Sequence, residues 1–197
     1  VVTGGLYIYE NEGLKDLSTL DGPKEVESIK IYQNPKLKTC STFSYKLTCD
    51  YIRIYENQSL ELVDLKLDSF TVTWRGTYSI TVSKNTILKN IRVSEYTGKL
   101  RSLTILENDS LTSIHVNTIS DSLAGIFIWL SPLLKNVTGF SNVKYVYRVD
   151  VNSNPSLKKL CFLKQILEKE GIGYLSLFAN GQGANTEAEV LNTNCTD

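Results

Sequence analysis

Apolar residues recur along this chain at fixed offsets from a polar frame position. The frame falls at Asn11, Asn34, Asn57, Asn85, Asn108, Ser131 and Asn154, at intervals of 23, 23, 28, 23, 23 and 23 residues. Five residues before it stand Leu6, Ile29, Ile52, Ile80, Leu103, Ile126 and Val149, and three before it Ile8, Ile31, Ile54, Val82, Ile105, Ile128 and Val151. Three after it stand Leu14, Leu37, Leu60, Leu88, Leu111, Leu134 and Leu157, and six after it Leu17, Cys40, Val63, Ile91, Ile114, Val137 and Leu160. A constant period of this length marks stacked supersecondary units. The pair before the frame position has period two, which predicts a short strand with one face inward. The pair after it belongs to the next corner and wall. A single unit would expose these rows, and stacking joins them into one continuous core. The pattern predicts a mostly β fold: a right-handed parallel β-helix, or leucine-rich-repeat-like solenoid, of about seven turns.

The frame residue itself has two readings. A short amide turned inward can hydrogen-bond corner groups that would otherwise lack partners, and repetition makes a ladder. The competing reading is a turn residue that tolerates unusual backbone angles. After the coils of residues 1–155, Leu157, Leu160, Cys161, Leu163, Ile166 and Leu167 suit one face of a helix over 156–171, with Gly171 as its stop. Leu175 and Leu177 then precede Asn180, which resembles an eighth, partial turn. Residues 172–197 read as that partial turn and a polar loop, and helix and tail together read as the C-terminal cap that a solenoid needs. The long interval carries five extra residues within 68–78, including Trp74, Arg75 and Gly76. Such insertions form loops on one face, either a binding loop or a plain outward bulge.

Composition narrows the picture. The 197 residues form one repeat-continuous domain, and 21 basic residues cancel 21 acidic ones. That balance gives no electrostatic case for nucleic acid or an anionic membrane. No stretch has the apolar length of a membrane-spanning helix. A chain that starts at Val1 and has no methionine is expected to be a mature or excised ectodomain. Cys40 and Cys49 occupy inward positions at neighbouring corners and are expected to pair, which leaves Cys161 on the helix to pin Cys195 on the tail. Buried free thiols are the alternative. No CxxC pair occurs, and the single histidine, His115, makes a zinc site improbable. Sequons start at Asn57, Asn108, Asn136 and Asn194. With the cysteines they point to an oxidising, secretory compartment and an extracellular protein. Asn57 and Asn108 are frame residues, so an inward ladder would withhold them. Asn136 and then Asn194 are the expected glycan sites.

The segments Val2-Thr3-Gly4-Gly5-Leu6-Tyr7-Ile8, Ile29-Lys30-Ile31-Tyr32-Gln33-Asn34-Pro35-Lys36-Leu37 and Val149-Asp150-Val151-Asn152-Ser153-Asn154-Pro155-Ser156-Leu157 resemble the opening strand and the repeat unit of the receptor L domain. That family is the solenoid ectodomain module of insulin and EGF receptors. Leucine three residues after the asparagine, rather than two, separates this pattern from ordinary leucine-rich repeats. The free-standing format is similar to the nematode insulin/EGF-receptor-like L-domain proteins. The cysteine that the family places before the opening strand is absent here. The resemblance implies a non-catalytic extracellular module that binds an insulin-like or EGF-like peptide hormone or growth factor, as receptor ectodomain, co-receptor or decoy. Another cell-surface receptor is the other partner it admits. It implies no catalysis, and no cofactor is expected; the charge balance and the lack of a long apolar stretch argue against nucleic acid and membrane insertion.

The register also assigns outward positions. Two residues before the frame stand Tyr9, Tyr32, Tyr55, Ser83, Leu106, Trp129 and Asn152, and four before it Tyr7, Lys30, Arg53, Thr81, Thr104, Phe127 and Asp150. Contiguous exposed aromatic area marks an interaction site, and Tyr and Trp beside Arg are the composition of binding hot spots. Tyr7, Tyr9, Lys30, Tyr32, Arg53, Tyr55, Leu106, Phe127 and Trp129 are therefore the candidate ligand-binding residues. Cross-strand pairing that only stabilises the sheet is the competing reading. Parallel β-helices also house polysaccharide-cleaving enzymes, but here Glu10, Glu56 and Glu107 are scattered down a corner and no nucleophile has a base beside it. A cell-surface adhesion or structural protein is the remaining alternative.

Overall fold

The computed structural model describes residues 4–17, 26–41, 47–66, 70–71, 77–94 and 99–195. The chain winds into a β-solenoid of about 6 turns with two short helices at its C-terminal end. One wall is an eight-stranded parallel sheet. It runs β1 (Gly5–Tyr9), β2 (Ser28–Tyr32), β5 (Tyr51–Tyr55), β8 (Thr77–Ser83), β10 (Lys99–Leu106), β12 (Ser122–Trp129), β14 (Tyr145–Asn152) and β15 (Ile172–Phe178). A second wall holds β3 (Thr39–Ser41), β6 (Leu62–Lys66), β9 (Asn90–Ser94), β11 (Ser113–Asn117) and β13 (Asn136–Gly139). A short third ladder pairs β4 (Leu47–Thr48) with β7 (Phe70–Thr71). The sequon at Asn194 extends to Thr196, which lies outside the described residues, as do Val2, Thr3, Trp74, Arg75 and Gly76.

The four apolar columns face inward. Every member is buried except Leu6 and Leu14 in the first coil, which are partly covered. That exception follows from stacking, because the first coil has a neighbour on one side only. The core slot eight residues before the frame holds Val26, Cys49, Leu100, Leu123 and Val146, all buried. In the coil with the longer interval Tyr78 fills it, opposite Leu100 and 1 % exposed, and a register shift lies between Leu100 and Ser102.

The frame residues turn inward and form a ladder. The side-chain oxygen of Asn34, Asn57, Asn85 and Asn108 each accepts from both the backbone N–H and the side-chain amide of the preceding frame asparagine, at 3.0–3.4 Å. The amides of Asn34, Asn57, Asn85 and Asn108 also donate to the carbonyl two residues back and to one on the previous coil, such as Ser83 and Ile54 for Asn85. Asn154 passes the ladder to Asn180, the eighth rung. Between them Ser131 keeps only its backbone donation to Asn154 and a 3.4 Å contact with the Trp129 carbonyl. One residue before each rung the backbone enters the left-handed region, at Glu10, Gln33, Glu56, Lys84, Glu107, Leu130, Ser153 and Ala179, with φ between 52° and 59°. None of the eight is glycine or asparagine. The ladder bonds on one side and the strand on the other hold that geometry against its intrinsic cost.

Three expectations are corrected. The helix over 156–171 begins five residues late, as α1 (Cys161–Leu167), because Leu157 and Leu160 still fill the core columns of a seventh corner. The chain leaves α1 through left-handed Glu170, and Gly171 packs so tightly that a Cβ there would stand 2.0 Å from the Lys144 carbonyl oxygen. The polar tail is not all loop. It contains α2 (Glu187–Asn192), whose Thr186 cap accepts from Glu189 N–H while the Glu189 carboxylate accepts from Asn185 N–H. The Cys161–Cys195 disulfide is present as expected, tying α1 to the end of the tail.

The expected Cys40–Cys49 disulfide is absent: both are buried free thiols. They point into the same core from different walls. Cys40 sits in β3, opposite Val63, and Cys49 precedes β5. Burial pushes the Cys40 thiol up to about 12 and raises Cys49 as well, with Asp50 adding to the shift. The native protein is therefore expected to resist thiol reagents at neutral pH. A colorimetric thiol assay under non-reducing conditions should find no reactive thiol when folded and both after denaturation. No reactive thiol after denaturation would instead mean that the pair is oxidised.

Candidate binding face

Period-two alternation puts the strand residues that do not enter the core on the outer face of the eight-stranded sheet. Parallel pairing in register then lines up equivalent residues of successive coils about 4.8 Å apart. Tyr9, Tyr32 and Tyr55 stand in one such row. Their rings stack with centroids 5.0 and 4.7 Å apart and planes within 3°. The stack covers the ring faces and leaves edges and hydroxyls outward. In the parallel row Lys30 lies over the Tyr7 ring at 4.8 Å, and Arg53 over Tyr51 at 4.5 Å. These four residues border an open groove of about 490 Å³ at the N-terminal half of the face.

A second cluster occupies the C-terminal half. Phe127 and Trp129 pack at 5.6 Å with planes inclined at 59°. The Arg148 guanidinium stands between the rings of Phe127, at 6.0 Å, and Tyr174, at 5.0 Å, and donates to Asp150 at 3.0 Å. Asp150, expected to point outward in the open, is 6 % exposed beneath this cluster, where Asn152 also donates to it. Two glycines make room for aromatic side chains on this face. A Cβ at Gly5 would meet the Tyr7 ring and one at Gly125 the Phe127 ring, so each ring lies flat over a glycine two residues back. This is the sheet device in which an aromatic covers the gap a glycine leaves.

Between the clusters run β8 and β10, whose outward side chains are mostly Ser and Thr, with Leu106 at one end and exposed Arg101 at the bulge of β10. Ser79, Thr81 and Ser83 pair in register with Ser102, Thr104 and Leu106, and the two hydroxyls of Ser79 and Ser102 bond at 2.9 Å. The predicted site residues thus fall into two groups. Tyr7, Tyr9, Lys30, Tyr32, Arg53 and Tyr55 form one wall, Phe127 and Trp129 belong to the other, and half-buried Leu106 lies on the floor between. The walls are three strand spacings apart, about 14 Å. Tyr51, Arg148, Tyr174 and Phe178 also belong to the face, the last being 69 % exposed. The signal for Phe178 was in the sequence: it stands two residues before Asn180, the eighth frame position.

The outer face of the five-stranded wall is different in kind. It carries hydroxyls, amides and charges, as in the Ser113–Asn90 bond at 2.7 Å and the His115–Thr138 bond at 3.0 Å. Asn136, on β13, is exposed there, and Asn194 is exposed beside the disulfide, whereas Asn57 and Asn108 are fully buried in the ladder. Glu10, Glu56 and Glu107 lie along the corner in the left-handed row.

Two phenols of the tyrosine stack, those of Tyr32 and Tyr55, are perturbed. Burial raises Tyr32, helped by Tyr9, Glu10 and Tyr7. Burial likewise raises Tyr55, with Tyr32 and Glu56 adding and Arg53 opposing. An acid whose folded pKa lies above its unfolded value loses its proton first in the unfolded chain. The proton-linked contribution of Tyr32 and Tyr55 is therefore fully present below the ordinary tyrosine value of 10.0 and is lost as pH climbs past that point. Melting temperature should fall above pH 10.0, and the fall should be smaller in Tyr32→Phe. An equal fall in that variant would remove the stack as its source.

No helix among the described residues is long and apolar enough to cross a membrane. No protein-family model matches the chain, and no curated protein matches it. Its class rests on the fold: a parallel β-solenoid with an internal asparagine ladder.

Proposed function

We propose that the chain is a non-catalytic extracellular binding module that takes a secreted peptide on the outer face of its eight-stranded sheet. The observation that carries this reading is the asymmetry of the two walls. Aromatic rings and arginines crowd one outer face, while the other has ordinary polar cover. A sheet face that needed only to stay in water would not concentrate Tyr, Trp and Phe this way. The two aromatic walls and their floor of Ser and Thr have a width suited to one α-helix, which is about 10–12 Å across with its side chains. A peptide that presents an amphipathic helix fits this seat best. The Cys161–Cys195 disulfide and the sequons at Asn136 and Asn194 support the extracellular setting, with those two asparagines as its glycan sites. The resemblance to receptor L domains supports an insulin-like or EGF-like hormone as the ligand class.

The test fills the seat without touching its walls. Thr104→Trp is expected to leave the melting temperature nearly unchanged and to abolish capture of peptides from a secreted-peptide library. Tyr32→Ser with Trp129→Ser should weaken the same capture at least tenfold. Stability lost with capture intact would assign the aromatics to sheet stabilisation instead. Capture by Thr104→Trp as strong as by the unaltered chain would remove the seat.

A further inference from the structure

Stacking creates a second surface, at the corner where the chain leaves the ladder and enters the five-stranded wall. The residue four after each frame position falls there: Lys15, Lys38, Glu61, Lys89, Thr112, Lys135 and Lys158. Backbone bonds of 2.9–3.0 Å join Lys15 to Lys38, Lys38 to Glu61, Glu61 to Lys89, Lys89 to Thr112 and Thr112 to Lys135, so the row is continuous from Lys15 to Lys135, and Lys135 and Lys158 line one groove. Its seven positions, one strand spacing apart, make it about 29 Å long. All five lysines are exposed. The one carboxylate in the row, Glu61, is bonded to Lys89 at 3.5 Å. Lys135 and Lys158 have no ion-pair partner among the described residues. At their end the corner opens into a groove of about 460 Å³ lined by Lys135, Asn136, Pro155, Ser156, Lys158 and Lys159, with no carboxylate in its lining. A chain of zero net charge has thus gathered cations along one straight edge.

We propose that this lysine edge binds a linear sulfated polysaccharide, with the Lys135–Lys158–Lys159 groove as its strongest subsite. The edge is straight because the coils are in register, so its lysines fall on one line, interrupted at Glu61 and Thr112. A stiff polyanion with regularly spaced sulfates matches that arrangement, and lysine ammonium groups bind sulfates as point charges. The groove adds the Ser156 hydroxyl as a donor beside the cations. A double-stranded nucleic acid would need a broader basic surface than a single row. The edge lies at a corner rather than on the aromatic face, so both can be occupied at once.

The probe is heparin, tested against chemically desulfated heparin and against single-stranded DNA, using the chain produced without N-glycans so that Asn136 is bare. Heparin should bind, and its affinity should drop steeply between low and physiological salt because binding releases condensed counterions. Desulfated heparin should bind at least tenfold more weakly. The triple variant Lys135→Gln, Lys158→Gln, Lys159→Gln should lose at least tenfold in heparin affinity, whereas Lys84→Gln with Lys144→Gln, off the edge, should not. Unchanged melting temperatures would show that the variants fold. Heparin binding that survives the triple variant, or failure of heparin to bind at all, would overturn the proposal. DNA bound more tightly than heparin would make the edge a nucleic-acid surface instead. Peptide capture by the triple variant is expected to be normal, which separates this outcome from that for the aromatic face.

Discussion

Replacing Asn85 with alanine is expected to cost about 3–5 kcal/mol of unfolding free energy. The residue is fully buried, and its amide serves the carbonyls of Ile54 and Ser83 while its oxygen accepts from the backbone and side chain of Asn57. Alanine leaves these groups in a dry core without partners, and each orphaned group costs about 1–3 kcal/mol. Asn85→Asp should be no milder at neutral pH. It keeps an acceptor for Asn57 but turns a carboxylate towards two carbonyl oxygens, with no cation in the ladder to offset it. Asn11→Ala should cost far less, because Asn11 is exposed at the end of the stack. Ser131 supplies the reverse experiment. It is fully buried at a rung whose neighbours Asn108 and Asn154 are both asparagine. Ser131→Asn should restore the missing amide and raise stability by about 1 kcal/mol. Chemical denaturation of the four variants checks the set. Equal costs at Asn11 and Asn85 would mean that the asparagines act as turn residues and not as a ladder.

Removal of the C-terminal disulfide should have the second-largest effect, and a local one. The bridge closes a separation of 34 residues, for which the chain-entropy relation gives about 4 kcal/mol. In a stacked solenoid each unit contacts only its neighbours, so a loosened end need not melt the middle. Cys195→Ser is expected to release α2 and to raise amide exchange from 181 to 195, with the coils around Asn57 and Asn85 still protected. The link between cap and coil is Asn180, whose oxygen accepts from Asn154 and whose amide donates to the carbonyls of Val151 and Ala184. Exchange should therefore also rise at Asn154 but not at Asn85. A uniform rise along the whole chain would show that the molecule unfolds as one cooperative block.

The sulfhydryl chemistry shows where column reasoning stops. The repeat places Cys40 and Cys49 inward, and both are buried. Inward is only one coordinate. A residue on the five-stranded wall and one entering the eight-stranded wall share the core without sharing the pair geometry a disulfide needs, and the column offset does not encode which wall faces which. Cys161 and Cys195 carry no repeat constraint at all, yet they do pair, because a helix and a tail at the end of a stack are free to approach. The tail helix itself was legible in Thr186 and Glu189, spaced as a helix start, but its polar composition masked that signal.

The sequence alone determined the coil period, the four inward columns and most of the outward rows, because each depends only on a residue's offset within its own repeat; the inward turn of the frame asparagines, one of two readings there, was decided by the ladder bonds. It also determined which aromatics leave the core, as Tyr9, Tyr32, Tyr55 and Trp129 do. Only the tertiary structure decided what meets across coils. It placed Arg148 between Phe127 and Tyr174, buried Asp150 beneath them, and left a floor of Ser and Thr between two aromatic walls. It likewise turned lysines about 23 to 51 residues apart in the chain into one edge. The physical reason is that parallel stacking converts sequence distance into a fixed spacing of one strand. Function on such a fold depends on neighbours along the stack, and no single repeat contains them.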